Sequence, residues 1–242
     1  PESRICRELK YHKLSIVEKG ERFTREVRIG SEYNSKVFST LRESFFLVKG
    51  SLRKYSQFRR ARGDQDKGVI FPTGGWTDRF AGSHMHLALG KNGISYKDAR
   101  SLASHLHDHI PFLIALSASS PVWREKVTPY ASNRLLRGSK TYCQITKRGI
   151  LYKQPCREIT YNRGGKKKPP TLEIRVCDSS LPEYLAAVLC VARAVALRWM
   201  KRRGSLNVST HENYLKARDQ AVRFGAKARL VWANHWMRVG DY

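Results

Sequence analysis

Two short stretches of strict alternation constrain this chain more than anything else in it. Across residues 83–89, His84, His86 and Ala88 alternate with Met85, Leu87 and Leu89. Across residues 171–178, Leu172, Ile174 and Val176 alternate with Glu173, Arg175 and Cys177. Successive side chains of a strand point to opposite faces, so each stretch makes a strand with one apolar and one polar face. Strands of this kind belong in an antiparallel sheet whose apolar face is covered and whose polar face stays open. The cover has to come from helices, and the chain supplies them, so the expected class is α+β: a curved antiparallel sheet with helices packed on one face.

The remaining segments are read in the same terms. Residues 23–37 carry Phe23, Val27, Ile29, Tyr33 and Val37 at odd positions, the pattern of another half-buried strand that includes Glu26 and Glu32. Thr40 caps an amphipathic helix over residues 40–58, and a basic Gly-rich loop follows, within a basic region that spans 53–68. Ser95 caps a helix through Ile110, and Pro111 opens a second, wholly apolar one that Ser119-Ser120-Pro121 stops. Residues 142–161 have strand-like composition and end in the second basic loop, 162–170. Pro182 opens a helix over 183–203 with a basic last turn, and Thr210 caps another over 211–236. One domain over 1–242 is expected, because no repeat or composition break divides it.

Charge narrows the partners. Lys and Arg total 46 against 20 Asp and Glu, a formal net charge of +26. Self-repulsion on that scale calls for a polyanion, and the basic stretches are interleaved with aromatics, as expected for phosphate contact combined with base stacking. The expected partner is nucleic acid, RNA before DNA, or another polyanion. The residues assigned to it are Arg53, Lys54, Arg59, Arg60, Arg62, Arg163, Lys166, Lys167, Lys168, Lys201, Arg202 and Arg203. The longest apolar stretch, 184–200, is broken by Arg193 and Arg198, so no membrane helix is expected. Five cysteines without CxxC spacing read as reduced thiols, which places the chain inside the cell, in cytoplasm or an organelle matrix. The start lacks both an initiator Met and the apolar core of a secretory signal, so a processed chain or a fragment is expected.

The polar faces of the three strand-like segments bring carboxylate, imidazole and guanidinium groups into one set: Glu32, His84, His86, Glu173 and Arg175. Such a set suits Mg²⁺ or Mn²⁺ together with phosphate. Four stretches in order go further. Gly82-Ser-His-Met-His-Leu, the helix ending Leu-Ser-Ala-Ser-Ser-Pro-Val-Trp123, Tyr130-Ala-Ser-Asn-Arg134 and Thr171-Leu-Glu-Ile-Arg-Val-Cys-Asp178 resemble the carboxylate–amine ligase family related to glutamate–cysteine ligase. The segment from Glu212 to Gly225 is similar to the helix that follows them in that family.

The resemblance implies a glutamine-synthetase-like catalytic domain and a two-step reaction, in which ATP phosphorylates a carboxylate and an amine then displaces phosphate to give an amide. It also implies ATP and Mg²⁺ or Mn²⁺ as cofactors. By motif, Glu32, His84 and Glu173 are metal ligands, His84 and Arg175 hold the nucleotide phosphates, and Arg134, Arg175 and His86 are catalytic. The family's first strand, rich in glutamates, has no counterpart in residues 1–17, where Glu2 and Glu8 stand in no such pattern. Two functions therefore remain: an ATP-dependent ligase acting on or beside a polyanion, or a non-catalytic RNA-binding component of a ribosome or other ribonucleoprotein built on a ligase-derived fold.

Overall fold

A computed structural model describes residues 19–26, 30–61, 63, 73–165, 168–202 and 209–242. By internal contacts the chain divides into two compact units, Pro1–Pro72 and Thr73–Tyr242, where one domain was expected.

In the first unit, β1 (Arg22–Glu26) and β2 (Gly30–Asn34) form an antiparallel hairpin, not one long strand. The register explains the reading: it pairs odd with odd positions, Phe23 with Tyr33, so a folded-back ribbon keeps the parity of a straight one. Val37, expected inside the strand, lies beyond it and is exposed. The helix α1 (Leu41–Ala61) starts at Thr40 as expected, with the Glu43 N–H donating to Thr40 Oγ1 (3.1 Å) and the Ser39 N–H to the Glu43 carboxylate (3.1 Å). It runs three residues past the expected end, so Arg59 and Arg60 are helical along with Arg53 and Lys54, and residues 53–61 of the expected basic loop 53–68 belong to the helix. Their straight side chains lose little freedom in a helix, and the basic last turn suits its dipole. Phe23 and Leu47 are buried, and Lys54 forms an ion pair with Glu21.

The second unit is built around three strands, β3 (Gly82–Leu87), β6 (Ile159–Asn162) and β7 (Thr171–Asp178), in the order β3-β7-β6 with both pairings antiparallel. Between them in sequence come α2 (Tyr96–His107), α3 (Ile110–Ser117), the short strands β4 (Val122–Trp123) and β5 (Lys126–Val127), and α4 (Asn133–Tyr142). Most of the expected strand over 142–161 is irregular, tied by single bridges from Gln144 to Arg157 and from Tyr152 to Thr160. After β7 come α5 (Pro182–Arg202) and α6 (His211–Phe224).

Helix α6 stops twelve residues short of the expected Trp236. Gly225 takes φ +54° at its end, a conformation costly for any residue with a Cβ, and the chain then turns into a further hairpin. This hairpin is β8 (Arg229–Trp232) and β9 (His235–Arg238), turned by Ala233 and Asn234 at φ 48° and 67°.

The apolar half of the alternation in β7 works as expected, whereas the polar face is not open: Glu173 and Cys177 are buried and Arg175 is half-buried. Leu172, Ile174 and Val176 are fully buried and meet α3, whose Phe112, Leu113 and Ile114 are also inaccessible. Each such side chain stabilises the fold by roughly 1.5–3 kcal/mol relative to an exposed one. With its apolar side sealed in this way, β7 presents Glu173 and Arg175 on the opposite side.

Candidate active site

The site grows from the pairing of β3 with β7. Register sets His86 opposite Glu173, and on the other flank Thr160 of β6 is also opposite Glu173, so this carboxylate sits mid-sheet in the central strand. The register shifts between Ser83, opposite Cys177, and Met85, opposite Ile174, so His84 faces two residues of β7, Arg175 and Val176, and the bulge lies in β7. The result gathers three groups around a single oxygen. Glu173 Oε1 pairs with the Arg175 guanidinium, lies 3.4 Å from His84 Nδ1 and 3.9 Å from His86 Nε2. His86 is oriented from its other ring nitrogen, where Nδ1 and the Thr171 hydroxyl share a hydrogen bond of 2.9 Å. Partial burial, with Arg175, Arg134 and His86 nearby, lowers the His84 pKa to about 3, so its ring is neutral and keeps a lone pair.

Arg175 is held from behind. Its N–H donates to the Glu158 carbonyl (2.9 Å), and its own carbonyl accepts from Arg134 Nη2 (2.9 Å) and from the Cys143 thiol (3.7 Å). The fully buried Glu158 carboxylate is fixed in turn by Tyr214 Oη (2.6 Å), the Thr146 N–H (3.0 Å) and Arg218 Nε. A line of contacts therefore runs from α6 to the guanidinium that meets Glu173. Burial pushes the Cys143 thiol up to about 12 and the Cys177 thiol up to about 11, so neither is a nucleophile.

Arg134 takes a different place from the one its motif implied. It is 2% exposed, and its guanidinium spans the Arg175 and Val176 carbonyls and Asp178 Oδ1 (3.6 Å). It braces β7 and is not open to a ligand. Gly82 is glycine for this reason, because a Cβ there would overlap the Arg134 guanidinium.

Asp178 was missed as a member of the site. It is fully buried, with its pKa raised by burial, and it accepts from the Ser119 N–H (3.0 Å) and Ser120 Oγ (2.7 Å). The Ser120 hydroxyl also accepts from the Arg134 N–H, and the Ser120 carbonyl from Asn133 Nδ2. The signal was present in the sequence: Ser119-Ser120 lie within one recognised motif and Asp178 ends another, and the structure ties the two together.

The other assigned residues divide. Glu32 belongs to the first unit, where it is exposed and accepts from Thr24 Oγ1 (3.1 Å); the constellation just described is made of second-unit residues alone. The Lys54 ammonium is engaged with Glu21, which removes it from the set of open phosphate contacts. Arg53, Arg60, Arg163, Lys168, Lys201 and Arg202 are exposed and Arg59 half-buried, whereas Arg62, Lys166, Lys167 and Arg203 lie outside the described residues. Among the described residues no group of three or more His, Cys, Asp or Glu side chains is arranged to hold a metal ion. Mg²⁺ needs near-octahedral oxygen ligands, and this face offers one carboxylate shared with an arginine. The described residues do not by themselves fit the metal. Nor is any helix among them long and apolar enough to cross a membrane.

Comparison with known proteins agrees with the motifs. Residues 80–141 match glutamate-cysteine ligase family 2 (GCS2). Among curated proteins, the "Putative glutamate--cysteine ligase 2" of Paracoccus denitrificans (strain Pd 1222) is 30% identical over 201 residues, covering 71% of this chain and 52% of that protein. The "Putative glutamate--cysteine ligase 2-2" of Legionella pneumophila (strain Corby) is 30% identical over 174 residues, 62% of this chain and 44% of that one. The chain thus spans about half the length of the curated relatives it matches. Among solved structures, the Pup ligase PafA in complex with ADP shares the fold, with a TM-score of 0.60 at 15% identity over 91% of this chain and 49% of that one. Over about half of their length the chain is thus similar to the carboxylate–amine ligases related to glutamate–cysteine ligase, and it has the glutamine-synthetase-like fold.

Proposed function

We propose that the β3–β7 face is part of the active site of an ATP-dependent carboxylate–amine ligase. The observation that carries the reading is the gathering of His84, His86 and Arg175 around one oxygen of Glu173, on two strands that both bear family motifs. A fold neighbour captured with ADP supports a nucleotide as the energy source.

In the first step an oxygen of the substrate carboxylate attacks the γ-phosphorus of ATP, giving an acyl phosphate and ADP. In the second an amine attacks the acyl carbon, phosphate leaves, and the amine gives up a proton. Most of the work is positioning and charge stabilisation. Arg175, fixed through its own backbone, presents a guanidinium to the transferring phosphoryl group. Glu173 limits where that guanidinium points. His84, neutral, adds no charge where the substrate carboxylate must approach, and His86, oriented by Thr171, accepts the proton released by the amine.

The test is to incubate the chain with ATP, Mg²⁺ and a panel of amino acids offered pairwise as acid and amine, reading ADP and phosphate. ADP that appears only with a productive pair, and is lost in Arg175→Gln with the fold intact, is the expected result. No ADP with any pair, in a chain that remains folded, sinks the proposal.

A further inference from the structure

We propose that this face serves an acidic polypeptide, so that the acid partner of the ligation is a carboxylate on a chain rich in Asp or Glu. The inference rests on the ligase reading and deepens it. Its basis is the distribution of charge along β7. At the Thr171 end, β6 and β7 are joined by residues 163–170, and the stretch 150–170 holds Lys153, Arg157, Arg163, Lys166, Lys167 and Lys168. The one carboxylate in that stretch is Glu158, which is buried and bonded to Arg218, so by sequence the stretch carries a net positive charge. Arg163 and Lys168 are exposed, and the Gly165 and Lys168 backbones bond each other across the connection (2.8 and 3.1 Å). From Thr171 to Glu173 is two residues of strand, about 7 Å.

A second cationic group stands near the other end of β7. Asp178 binds Ser119 and Ser120, and the chain then runs directly into the β4–β5 hairpin. There the Trp123 ring carries two guanidinium groups, Arg137 at 3.7 Å and Arg124 at 4.5 Å from its centroid, with Lys126 exposed beyond a turn that holds Glu125. Stacking of this kind holds an arginine in place while its N–H groups stay available. The central strand thus has exposed cations near its Thr171 end and stacked guanidinium groups near its Asp178 end. An extended acidic peptide complements cations at both ends and also brings the carboxylate that the reaction consumes. RNA matches the charge, but it has neither a carboxylate nor an aliphatic amine to join.

The experiment uses the whole chain with two labelled probes of equal charge, a polyglutamate peptide and a single-stranded oligoribonucleotide, titrated by fluorescence anisotropy at low and physiological ionic strength. Polyglutamate is expected to bind, to weaken with salt, and to lose roughly tenfold in affinity in the Arg163→Gln/Lys168→Gln variant. The matched Arg53→Gln/Arg60→Gln variant, which removes the same charge from α1, is expected to change it less than about twofold. Equal losses in both variants would show attraction to net charge alone and would overturn the proposal, as would polyglutamate failing to bind or being displaced by the oligoribonucleotide at equal charge. ADP formed with free amino acids but no polyglutamate binding would retire this inference and leave the ligase standing. Binding with no ADP under any condition would retire the ligase and leave only the surface.

Discussion

Gly82→Ala tests the brace behind the active-site strand. The added Cβ falls on the Nη2, Cζ and Nε atoms of Arg134, closer than real Cβ contacts come. The guanidinium cannot swing into solvent, because it is 2% exposed and bonded to the Arg175 and Val176 carbonyls and paired with Asp178. Moving it weakens charge-assisted hydrogen bonds worth about 1.5–3 kcal/mol each and strands the Asp178 carboxylate in the interior. The expected loss is about 3–5 kcal/mol, a large part of a typical domain's stability of about 5–15 kcal/mol. Urea unfolding followed by far-ultraviolet circular dichroism reads it as a fall in midpoint. A double-mutant cycle isolates the cause: in an Arg134→Met background, the same glycine change should cost under about 1 kcal/mol, because the guanidinium it strikes is gone. A Gly82→Ala protein as stable as the parent, or equal costs in both backgrounds, would refute the steric argument.

Three further outcomes are expected. Glu158→Gln leaves Arg218 buried without its carboxylate and should destabilise by about 3–5 kcal/mol, whereas Tyr214→Phe, which removes one hydroxyl donor, should cost about 1–2 kcal/mol, both by urea unfolding. His109 is held neutral, its pKa lowered to about 3 chiefly by burial, while the unfolded chain takes up its proton near 6.5. Between those values the unfolded state binds more protons, so this contribution is complete above about pH 6.5 and is lost as pH falls toward 3; His109→Gln should flatten that part of the stability profile. Cys143 and Cys177, buried with raised pKa values, should resist iodoacetamide until denaturant is added, whereas exposed Cys190 reacts in the native state, as peptide mass mapping would show.

Much of this fold is legible where local rules act alone. The caps at Thr40, Ser95 and Thr210, Pro182 at the start of α5 and the two-faced strand β7 each follow from one residue type at one position. What was not legible depends on partners distant in sequence. Parity cannot tell β1 and β2 from one strand, because the hairpin register conserves it. The end of α6 at Gly225 was overrun because the helical pattern seemed to continue into what is a hairpin, and the Ala233-Asn234 turn is a weaker signal than Asn-Gly.

The candidate site divides along the same line. His84, His86, Glu173 and Arg175 meet because alternation places them on one face and pairing brings the strands together. Arg134 belongs to a motif, but its burial against β7 is a fact of packing that no spacing reveals.

The position of Glu173 in the central strand has a consequence for how the site comes into being. Strands β6 and β7 are neighbours in sequence and can pair through a short connection, whereas joining β3 to β7 closes a loop of more than eighty residues. Loop closure disfavours the distant pairing until much of the intervening chain has condensed. The order expected on this ground sets Glu173 and Arg175 on a local hairpin before β3 brings the histidines to them. A segment such as residues 80–141 carries the histidines and three of the four stretches that bear the resemblance, yet no part of the carboxylate–guanidinium pair the histidines meet. In such a chain the full cluster of His84, His86, Glu173 and Arg175 exists only while a pairing across more than eighty residues is made.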